Sequence, residues 1–325
     1  MGDRPLVSVV AVCFNHARFV RDCLDAIAAQ DHPNTEVLII DDASTDDSVA
    51  TIRQWLRDTG FAAELVVHER NQGICATRND ALRRVHGDYL AFVSTDDAWL
   101  PGKLSAQVAL MEALPSHVAV VYGDAVHMDE TGRALDGSWL RDARMRTPPS
   151  GDVYEPLLRR VFVPSLTTLV RREAIDAVGG YDEALSFEDW DMWLRLAARY
   201  HFAYAPGPWA RYRIVAGSLG RSIGPAYWST IATLMHKQLG ARPALDPIAV
   251  RWIRRCMVEL AMLGADTEVD RWLAVLDRTD RSRVGRAVRA AVRSGVVGPR
   301  LLAVKSALRP AVRAVRAAPA RQPVT

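Results

Sequence analysis

Short apolar runs alternate with amphipathic stretches over the first hundred residues, and this alternation restricts the fold more than any other feature of the chain. Apolar, β-branched runs at residues 6–13, 36–40, 64–68 and 89–93 predict buried strands. Between these runs, apolar side chains recur every three or four residues, which indicates helices. Strands that alternate with helices form a mainly parallel sheet with helices on both faces. The pattern therefore predicts an α/β fold.

The rest of the chain is patterned less clearly. One more strand is expected at 118–122, and the glycine- and proline-containing segment 124–160 is interpreted as an excursion over the sheet. A helix is expected at 189–200. After Pro206 the sequence is interpreted as helical, then Arg/Ala-rich, and the final ten residues are expected to be disordered.

Two acidic pairs follow predicted strands. Asp41 and Asp42 follow the second strand, and Asp96 and Asp97 follow the fourth. Because ligands of open α/β sheets bind beyond the carboxyl ends of the strands, both pairs are expected at one edge. Clustered carboxylates repel each other unless a cation separates them, which favours Mg²⁺ or Mn²⁺ shared with substrate phosphates. The alternative is that these acids only begin helices.

The usual phosphate-binding loops are missing. No GxGxxG follows the first strand and no GxxxxGK[ST] occurs, which disfavours dinucleotide dehydrogenases and P-loop NTPases. A diphosphate bound at this edge would need a metal ion and a side-chain cation, for which Arg78 is one candidate.

Cysteine usage and hydropathy indicate a cytoplasmic protein. The four cysteines form no CxxC pair and are interpreted as reduced core thiols. No apolar run approaches the ~20 residues that span a bilayer, and the first residues lack the layout of a signal peptide. The histidines, which include His16 and His68, have no HExxH-like spacing and are interpreted as surface or packing residues.

Five segments, taken in order, resemble the family 2 glycosyltransferases, which have the GT-A fold. They are VSVVAVCFNHARFVRDCLDAI, EVLIIDDASTDDS, NQGICATRNDAL, GDYLAFVSTDDAWLPGKL and VGGYDEALSFEDWDMWLRLA. The resemblance covers about residues 5–215. It implies a Rossmann-like sheet and a hexosyltransferase-type enzyme that transfers a sugar from a nucleoside-diphosphate sugar to an acceptor, with inversion at the anomeric carbon.

The resemblance also suggests a domain organisation, since 325 residues correspond to about two domains. Residues 5–235 are expected to form the GT-A domain, with a nucleotide-binding half at 5–123 and an acceptor half at 124–235. Residues 236–325 are expected to form a helical extension with a disordered end.

Donor-binding residues follow from the resemblance by position. Those expected around the nucleotide base are Ala11, Phe14, Asn15, Asp41 and Asp42. Of these, Asp42 would hydrogen-bond the base. Arg78 and Asn79 would steady the diphosphate and the ribose.

The STDD segment resembles the DxD signature of the family. Asp97 would then be the direct ligand of Mn²⁺ or Mg²⁺, and Asp96 would contact the ribose or metal-bound water. Such an ion neutralises charge that builds on the departing diphosphate. Val215 stands where many relatives carry a histidine near the metal, so no third protein ligand is assigned.

An inverting displacement needs a base that takes the proton of the acceptor hydroxyl. The family supplies it from an ED segment, here Glu188 and Asp189. A competing interpretation is a capping box with Ser186 as N-cap and Asp189 at N3. Together with the upstream metal motif, the sequence favours Asp189 as the base. Asp191 lies about 200° around the helix from Asp189, so both cannot face the site.

The absence of a QxxRW signature and of spanning segments favours transfer of a single sugar over processive synthesis. The acceptor is predicted only as a glycan, lipid-linked or small-molecule hydroxyl. Two other functions remain open. One is a catalytically inactive nucleotide-sugar-binding partner in a glycan assembly complex. The other is a Mg²⁺ phosphotransferase with Asp41 or Asp42 as nucleophile.

Charge is distributed unevenly along the chain. Residues 281–325 hold 11 of the 41 Lys and Arg residues and none of the 38 acids. An amphipathic basic helix from about residue 301 would suit an anionic membrane surface at the inner face of the membrane. A helix packed on the acidic body is an equal alternative. Nucleic-acid binding is the least favoured, because no aromatic residue interleaves these arginines.

Overall fold

The computed structural model describes residues 4–215 and 224–294. Its contacts divide the chain into two compact units. The first takes in Met1–Tyr154 and Phe162–Ala216, and the second takes in Glu155–Val161 and the chain from Gly217. The last residue of the first unit is thus Ala216, whereas the sequence predicted that the first domain ends at residue 235.

One sheet contains the strands of the described residues. They are Val7–Cys13 (β1), Thr35–Asp41 (β2), Glu64–Val67 (β3), Tyr89–Ser94 (β4), Ala98–Trp99 (β5), Val118–Met128 (β6), Ala134–Ser138 (β7), Leu169–Arg171 (β8) and His201–Arg213 (β9). The order along the sheet is β3-β2-β1-β4-β8-β6-β9-β5, and β7 pairs with β6. The strands β1 to β4 run parallel, and β8 joins β4 to β6 in antiparallel fashion.

The predicted α/β architecture is confirmed. Strand β1 is buried at every position because it lies between β2 and β4 with helices against the sheet. A continuous apolar strand is what this central position requires. The carboxyl ends of β1, β2 and β4 consequently meet at one edge.

The helices of the first unit cover the sheet. They are Val20–Ala28 (α1), Ser48–Thr59 (α2), Ile74–Arg84 (α3), Lys103–Ala113 (α4), Trp139–Asp142 (α5), Arg172–Ala177 (α7) and Asp189–Ala197 (α8). Helix α6, Tyr154–Arg159, begins at the last residue of this unit's first segment and continues in the second unit. The four cysteines are all free and buried, as expected.

Strand β9 corrects the interpretation of the chain after Pro206 as helical. The strand continues through Pro206 and Pro208 to Arg213, parallel to β6. The register between the two strands shifts between Tyr122 and Asp124, next to the prolines. An irregular ladder of this kind accepts proline, which has no amide proton to donate.

The second unit is helical in its described residues. Its helices are Pro225–Lys237 (α9), Asp246–Met262 (α10), Asp266–Thr279 (α11) and Arg283–Arg293 (α12). Arg289 Nε lies 2.9 Å from Asp277 Oδ1, and Arg254 Nη1 lies 3.1 Å from Asp280 Oδ2. Arg289 of the basic tail therefore pairs with an acid of this unit, while the helix expected from residue 301 lies outside the described residues. Across both described ranges, no helix is long and apolar enough to cross a membrane.

Candidate active site

The loops that follow β1 and β2 are tied to each other at the carboxyl edge of the sheet. The Asn15 amide donates to Ser44 Oγ (2.8 Å), and the Thr45 amide donates to Asn15 Oδ1 (2.8 Å). Asn15 and Ala43 have φ of 58° and 61°. L residues adopt this left-handed conformation at a cost, and they do so where surrounding contacts hold them. The edge is therefore built from two rigid, interlocked loops.

The residues predicted to line the base pocket separate into two positions. Phe14 is 37% exposed and lies with Asn15 where β1 ends. Ala11 lies inside β1, has no exposed surface and belongs to the hydrophobic core. Phe14 and Asn15 thus lie at the carboxyl edge of the sheet, whereas Ala11 lies in the core and not at this edge.

Both carboxylates of the first acidic pair are engaged by donors of the chain itself. Asp41 accepts from the amide and the hydroxyl of Ser44, at 2.8 and 2.6 Å. Asp42 accepts from His68 Nδ1 (2.8 Å) and from two backbone amides before α3, at 2.8 and 2.9 Å. His68, interpreted from the sequence as a surface or packing residue, therefore contacts a predicted donor-binding residue. The base-binding role of Asp42 stays a prediction.

The second acidic pair, at the end of β4, has fewer hydrogen-bond donors. Asp97 is 4% exposed and accepts from the Arg213 amide (2.8 Å). Among the described residues, buried Oδ1 of Asp96 has no hydrogen-bond partner. Burial, followed by the charge of Asp96, raises the pKa of Asp97 well above its usual range. His16 Nε2 lies 3.8 Å from Asp96 Oδ2. A buried carboxylate beside a half-buried one with an unpaired, buried oxygen forms a site that favours a positive charge.

Arg213, the last residue of β9, fixes this acidic segment through the main chain. Besides the amide contact with Asp97, its Nε donates to the Asp96 carbonyl (2.6 Å) and Nη2 lies 2.9 Å from Asp22 Oδ2. This role was not predicted from the sequence, because Asp96 and Asp22 lie 117 and 191 positions before Arg213 in the chain. The available signal was the Tyr212-Arg213 pair at the end of the strand.

Arg78 is buried, and its guanidinium group is held by several contacts. Its guanidinium lies 4.8 Å from the ring centre of Phe92 and 5.4 Å from that of Tyr181. Nη2 lies 3.0 Å from Glu188 Oε1, and Nη1 donates to Ser165 Oγ (3.1 Å). The contact joins a predicted donor-binding residue to the ED segment. The contact of Arg78 with a diphosphate stays a prediction.

Asn79 holds the loop before the ED segment. Its Nδ2 donates to the Tyr181 carbonyl (2.9 Å) and to Glu183 Oε1 (2.8 Å), and its Oδ1 accepts from the Tyr181 amide (2.8 Å). Gly180 has φ of 72°, and a Cβ there would lie 2.8 Å from Asn79 Oδ1. The side chain is thus packed against this loop, and its predicted contact with a ribose stays a prediction.

Asp189 is the first residue of α8. The first helical hydrogen bond is accepted by the Glu188 carbonyl, so Glu188 is the N-cap, and it makes no side-chain capping bond. Asp189 therefore stands at N1, and the capping box with Ser186 as N-cap and Asp189 at N3 is wrong. Burial, and after it the charge of Glu188, raises the pKa of Asp189 to about 7. A carboxyl group with a pKa near neutrality is suited to general base catalysis.

A buried turn, Ser165–Thr167, connects the two acidic regions. Three side chains that follow the STDD segment donate to successive carbonyls of this turn and its next residue. Trp99 Nε1 donates to Leu166 O (2.8 Å), Gln107 Nε2 to Thr167 O (2.7 Å) and Lys103 Nζ to Thr168 O (3.1 Å). The turn in turn presents Ser165 to Arg78, so the position of Arg78 depends on residues beside the acidic pair at β4.

Comparison with known families explains this arrangement. The model of glycosyl transferase family 2 matches residues 8–179, more than half of the chain. The chain belongs to this family. The protein is therefore a glycosyltransferase, as the resemblance of its five segments predicted.

The curated relatives of this transferase carry similar names. A Bacillus subtilis protein named as a glycosyltransferase of teichuronic acid biosynthesis, TuaG, is 28% identical over 217 residues, which cover 66% of this chain and 82% of the relative. An uncharacterized glycosyltransferase of Rickettsia felis is 26% identical over 211 residues, and the match spans 33% of that longer protein.

Solved structures show the same fold. TarS 1-349 of S. aureus, crystallised with UDP-GlcNAc, has a TM-score of 0.68 at 17% identity, covering 94% of this chain and 92% of that one. The mannosyltransferase PcManGT of Pyrobaculum calidifontis, in complex with GDP-Man and Mn²⁺, has a TM-score of 0.58 at 19% identity, covering 96% and 86%. The predicted GT-A-like fold is confirmed.

The residues of this transferase fit a divalent metal in one respect and not in another. Asp96 offers a buried oxygen without a partner, and Asp97 has a pKa raised by burial beside it. Hard cations take such carboxylate oxygens. However, the described residues contain no group of three or more His, Cys, Asp or Glu that could hold a metal. Within the described ranges, the chain therefore offers two adjacent carboxylates at this place.

Proposed function

We propose that the protein is an inverting, metal-dependent, non-processive glycosyltransferase. It would move one sugar from a nucleoside-diphosphate sugar to the hydroxyl of a glycan, lipid-linked or small-molecule acceptor. The observation that carries the proposal is the pair of buried Asp97 and half-buried Asp96, whose buried Oδ1 is unpaired among the described residues, at the strand end where α/β sheets bind ligands. Membership of family 2 supplies the reaction class.

Donor binding is assigned to the loops at this edge. Asp41 and Asp42 stiffen the loops through hydrogen bonds to the chain, and Phe14 offers an exposed ring beside them. A bound nucleotide base would stack on or hydrogen-bond to this edge. The Asp42 carboxylate has three donors already, so any contact with the base would use its remaining lone pairs or exchange one donor.

The metal is assigned to Asp97 and Asp96, with Mn²⁺ or Mg²⁺ as the ion. When bound, it would stabilise the negative charge of the diphosphate leaving group. Arg213 would keep the acidic segment in place. Its side chain is only 1% exposed, and its guanidinium group contacts backbone carbonyls and Asp22, so it is not free to contact substrate. A positioning role of this kind preorganises the site without contact to substrate.

The base is assigned to Asp189. Its carboxylate would accept the proton of the acceptor hydroxyl while the acceptor oxygen bonds to the anomeric carbon. The bond from that carbon to the diphosphate oxygen breaks on the opposite face, which inverts the anomeric configuration. Glu188 is held by Arg78 and keeps a negative charge beside Asp189, which raises the proton affinity of the base.

The basic tail is assigned to peripheral contact with an anionic membrane, through residues 281–325. Arg281, Arg283 and Arg286 are exposed in the described part of this tail. Each Lys or Arg near an anionic surface contributes about 1 kcal/mol. A lipid-linked acceptor would then be reached from the membrane surface.

The decisive experiment incubates the protein with a panel of nucleotide sugars and Mn²⁺, with and without EDTA. Release of nucleoside diphosphate should require the metal, and NMR of the product with a hydroxyl acceptor should show the anomeric configuration opposite to that of the donor. Binding without hydrolysis or transfer, across the panel, would favour an inactive nucleotide-sugar-binding partner. A product with retained configuration would refute the inverting mechanism.

A further inference from the structure

A cavity of about 680 Å³ lies in the first unit, within the segment that the sequence assigned to the acceptor half. Its walls come from β6, from the end of β7, from α5 and the loop after it, and from β9. The apolar part is formed by Leu140, Met145 and Pro148, and Tyr204 adds an aromatic ring. A mixed apolar and polar lining is typical of cavities that bind small molecules or parts of chains.

Three arginines line this cavity, and two of them have no counter-ion. Arg141 Nη1 lies 2.6 Å from Asp136 Oδ1, so its charge is compensated. Arg144 and Arg146 make no ion pair within the described part of the chain, and both are exposed to the solvent. The acid of the wall, Asp124, turns Oδ1 to the amides of Ala125 and Leu140. The residues that line the cavity thus include three arginines and one acid, so the lining carries more positive than negative charge.

The backbone at one of these arginines has a left-handed conformation. Arg144 has φ of 55°, a left-handed conformation that costs an L residue about 1–2 kcal/mol. The turn is closed by the Met145 amide, which donates to Leu140 O (2.8 Å), and by the Arg144 amide, which donates to Arg141 O (3.0 Å). Arg144 is thus held in a strained conformation beside the cavity and gains no ion pair there. Strain held by the surrounding structure is a mark of binding sites.

The cavity is connected to the acidic pair through strands β6 and β9. Asp124 in its wall is four residues before Met128 on β6, and Met128 pairs with Arg213, whose amide binds Asp97. At about 3.3 Å per residue, the separation along the strand is about 13 Å. A short oligosaccharide can cover this length with one end at each place.

We infer that this cavity binds an anionic group of the acceptor, a phosphate or a carboxylate, through Arg144 and Arg146. The inference rests on the proposed function, because it takes the anion to be part of the sugar acceptor. Guanidinium groups suit this task because they bind the oxygens of phosphates and carboxylates in bidentate fashion. The anion would sit away from the reacting hydroxyl and set which acceptors are used.

The first test measures binding of small anions without donor or metal. Calorimetry compares glucose 6-phosphate, trigalacturonate and neutral maltotriose on the wild type, on Arg144→Gln/Arg146→Gln and on Arg53→Gln/Arg57→Gln. The control pair removes the same charge from exposed positions on α2, outside the cavity. Glutamine, like arginine, is unbranched at Cβ, so the backbone strain at residue 144 is unchanged.

The expected result is that Arg144→Gln/Arg146→Gln weakens binding of at least one anionic probe tenfold or more, while the control pair binds as the wild type does. Preference for glucose 6-phosphate assigns the cavity to phosphate, and preference for trigalacturonate assigns it to carboxylate. Anionic probes that bind no better than maltotriose would overturn the inference. So would equal binding by the cavity variant and the wild type.

The second test separates this inference from the proposed function. Release of nucleoside diphosphate from the donor to water needs no acceptor, so it reports on the donor site alone. The cavity variant should retain that release, and its KM for an anionic acceptor should rise tenfold or more. If no nucleotide sugar is bound or hydrolysed, the proposed function fails while the anion measurement still stands. If transfer occurs with an unchanged KM for anionic acceptors, the inference fails and the function stands.

Discussion

Nη2 of Arg78 lies 3.0 Å from Oε1 of Glu188, and both side chains are almost completely shielded from solvent. This ion pair joins α3, which follows the first acidic pair, to the start of α8, which carries Asp189. Removing one partner of such a pair leaves a charge buried without compensation. The pair therefore connects the proposed donor edge to the proposed base, and it sets the electrostatic surroundings in which Asp189 takes up a proton.

Replacing Asp189 by Asn should spare donor binding and lower turnover by about 10²–10⁴-fold, the usual contribution of a general base. The amide cannot accept the proton, yet it fits the same space. Donor binding by calorimetry and steady-state transfer rates measure the two effects.

Asp191→Asn is the matched control for this variant. Asp191 is 1% exposed, and Arg195 Nε lies 2.7 Å from its Oδ2. Loss of the Asp191 carboxylate should lower the melting temperature and leave kcat near normal. Near-normal turnover of Asp189→Asn, together with lost turnover of Asp191→Asn or Glu188→Gln, would show that the base is another residue.

The pH dependence of kcat/KM should have an acidic limb with an apparent pKa near 7, the pKa of Asp189. The base works only when ionised, so activity should fall as the pH drops below this value. Because the charge of Glu188 raises this pKa, Glu188→Gln should move the limb to lower pH by about 1 unit. Rate profiles from pH 5 to 9 provide the measurement. A limb that stays in place or moves to higher pH would contradict this account.

Asp97→Asn should stabilise the metal-free protein at pH 8 and abolish stabilisation by Mn²⁺. Burial and Asp96 raise the pKa of Asp97, so its contribution to stability is lost as the pH rises through that pKa. The amide keeps the bond from the Arg213 amide and removes the charge. A gain of 1 kcal/mol would raise the melting temperature by about 2–4 °C. Equal shifts with Mn²⁺ in both proteins would exclude Asp97 as a ligand.

The acidic motifs of the candidate site could be predicted from sequence because each directly follows an apolar strand. Asp96 and Asp97 lie just after the fourth apolar run, and the carboxyl ends of parallel strands share one edge of the sheet. The start of α8 was predicted at the correct residue, 189. These features depend on local pattern and strand order alone, which a single sequence displays.

The partners of these residues could not be predicted, because they come from distant parts of the chain. Arg213 lies 117 positions from Asp96, and Glu188 lies 110 positions from Arg78. Strand β9 escaped prediction because Pro206 resembles the end of an element, although a shifted register next to β6 accommodates it. Packing of this kind appears only when the sheet is assembled.

Lys103 should make the stability of the protein depend on pH between 7 and 10. Its side chain is fully buried, and burial lowers its pKa to about 7, although Nζ donates to Thr168 O and lies 4.4 Å from the Trp99 ring centre. The unfolded chain then binds one more proton than the native state over this range. The free energy of unfolding should therefore rise with pH, by about 1.4 kcal/mol per unit from this residue.

Denaturant titrations of the wild type and Lys103→Met at several pH values check this slope. The variant should lack the contribution, so the difference between the two proteins should change with pH. Lys237→Met, at an exposed position of α9, is the control and should preserve the slope of the wild type. Parallel curves for wild type and Lys103→Met would show that Lys103 stays charged in the native state.

Truncation after Ser294 should weaken binding to anionic vesicles without unfolding the protein. This cut deletes six of the eleven basic residues of the tail and leaves α12 in place. Arg289 and Arg293, which pair with Asp277, are retained, as is the bond from Arg289 Nη1 to Asp280 O (2.8 Å). The six deleted charges correspond to about 6 kcal/mol near an anionic surface, so their loss should strongly weaken sedimentation with vesicles, although exposed Arg281, Arg283 and Arg286 remain.

A cut after Asp280 separates the structural role of the tail from the membrane role. It removes α12 and exposes the acids that Arg289 and Arg293 compensate, so the melting temperature should fall. Co-sedimentation with vesicles of anionic and of neutral lipid, at low and high salt, distinguishes the two variants from the full chain. Salt-sensitive binding that is strongest for the full chain supports the membrane contact, because screening weakens exposed charges. Equal binding by the full chain and the chain cut after Asp280, or no binding by any form, would leave the tail with only its contacts inside the second unit.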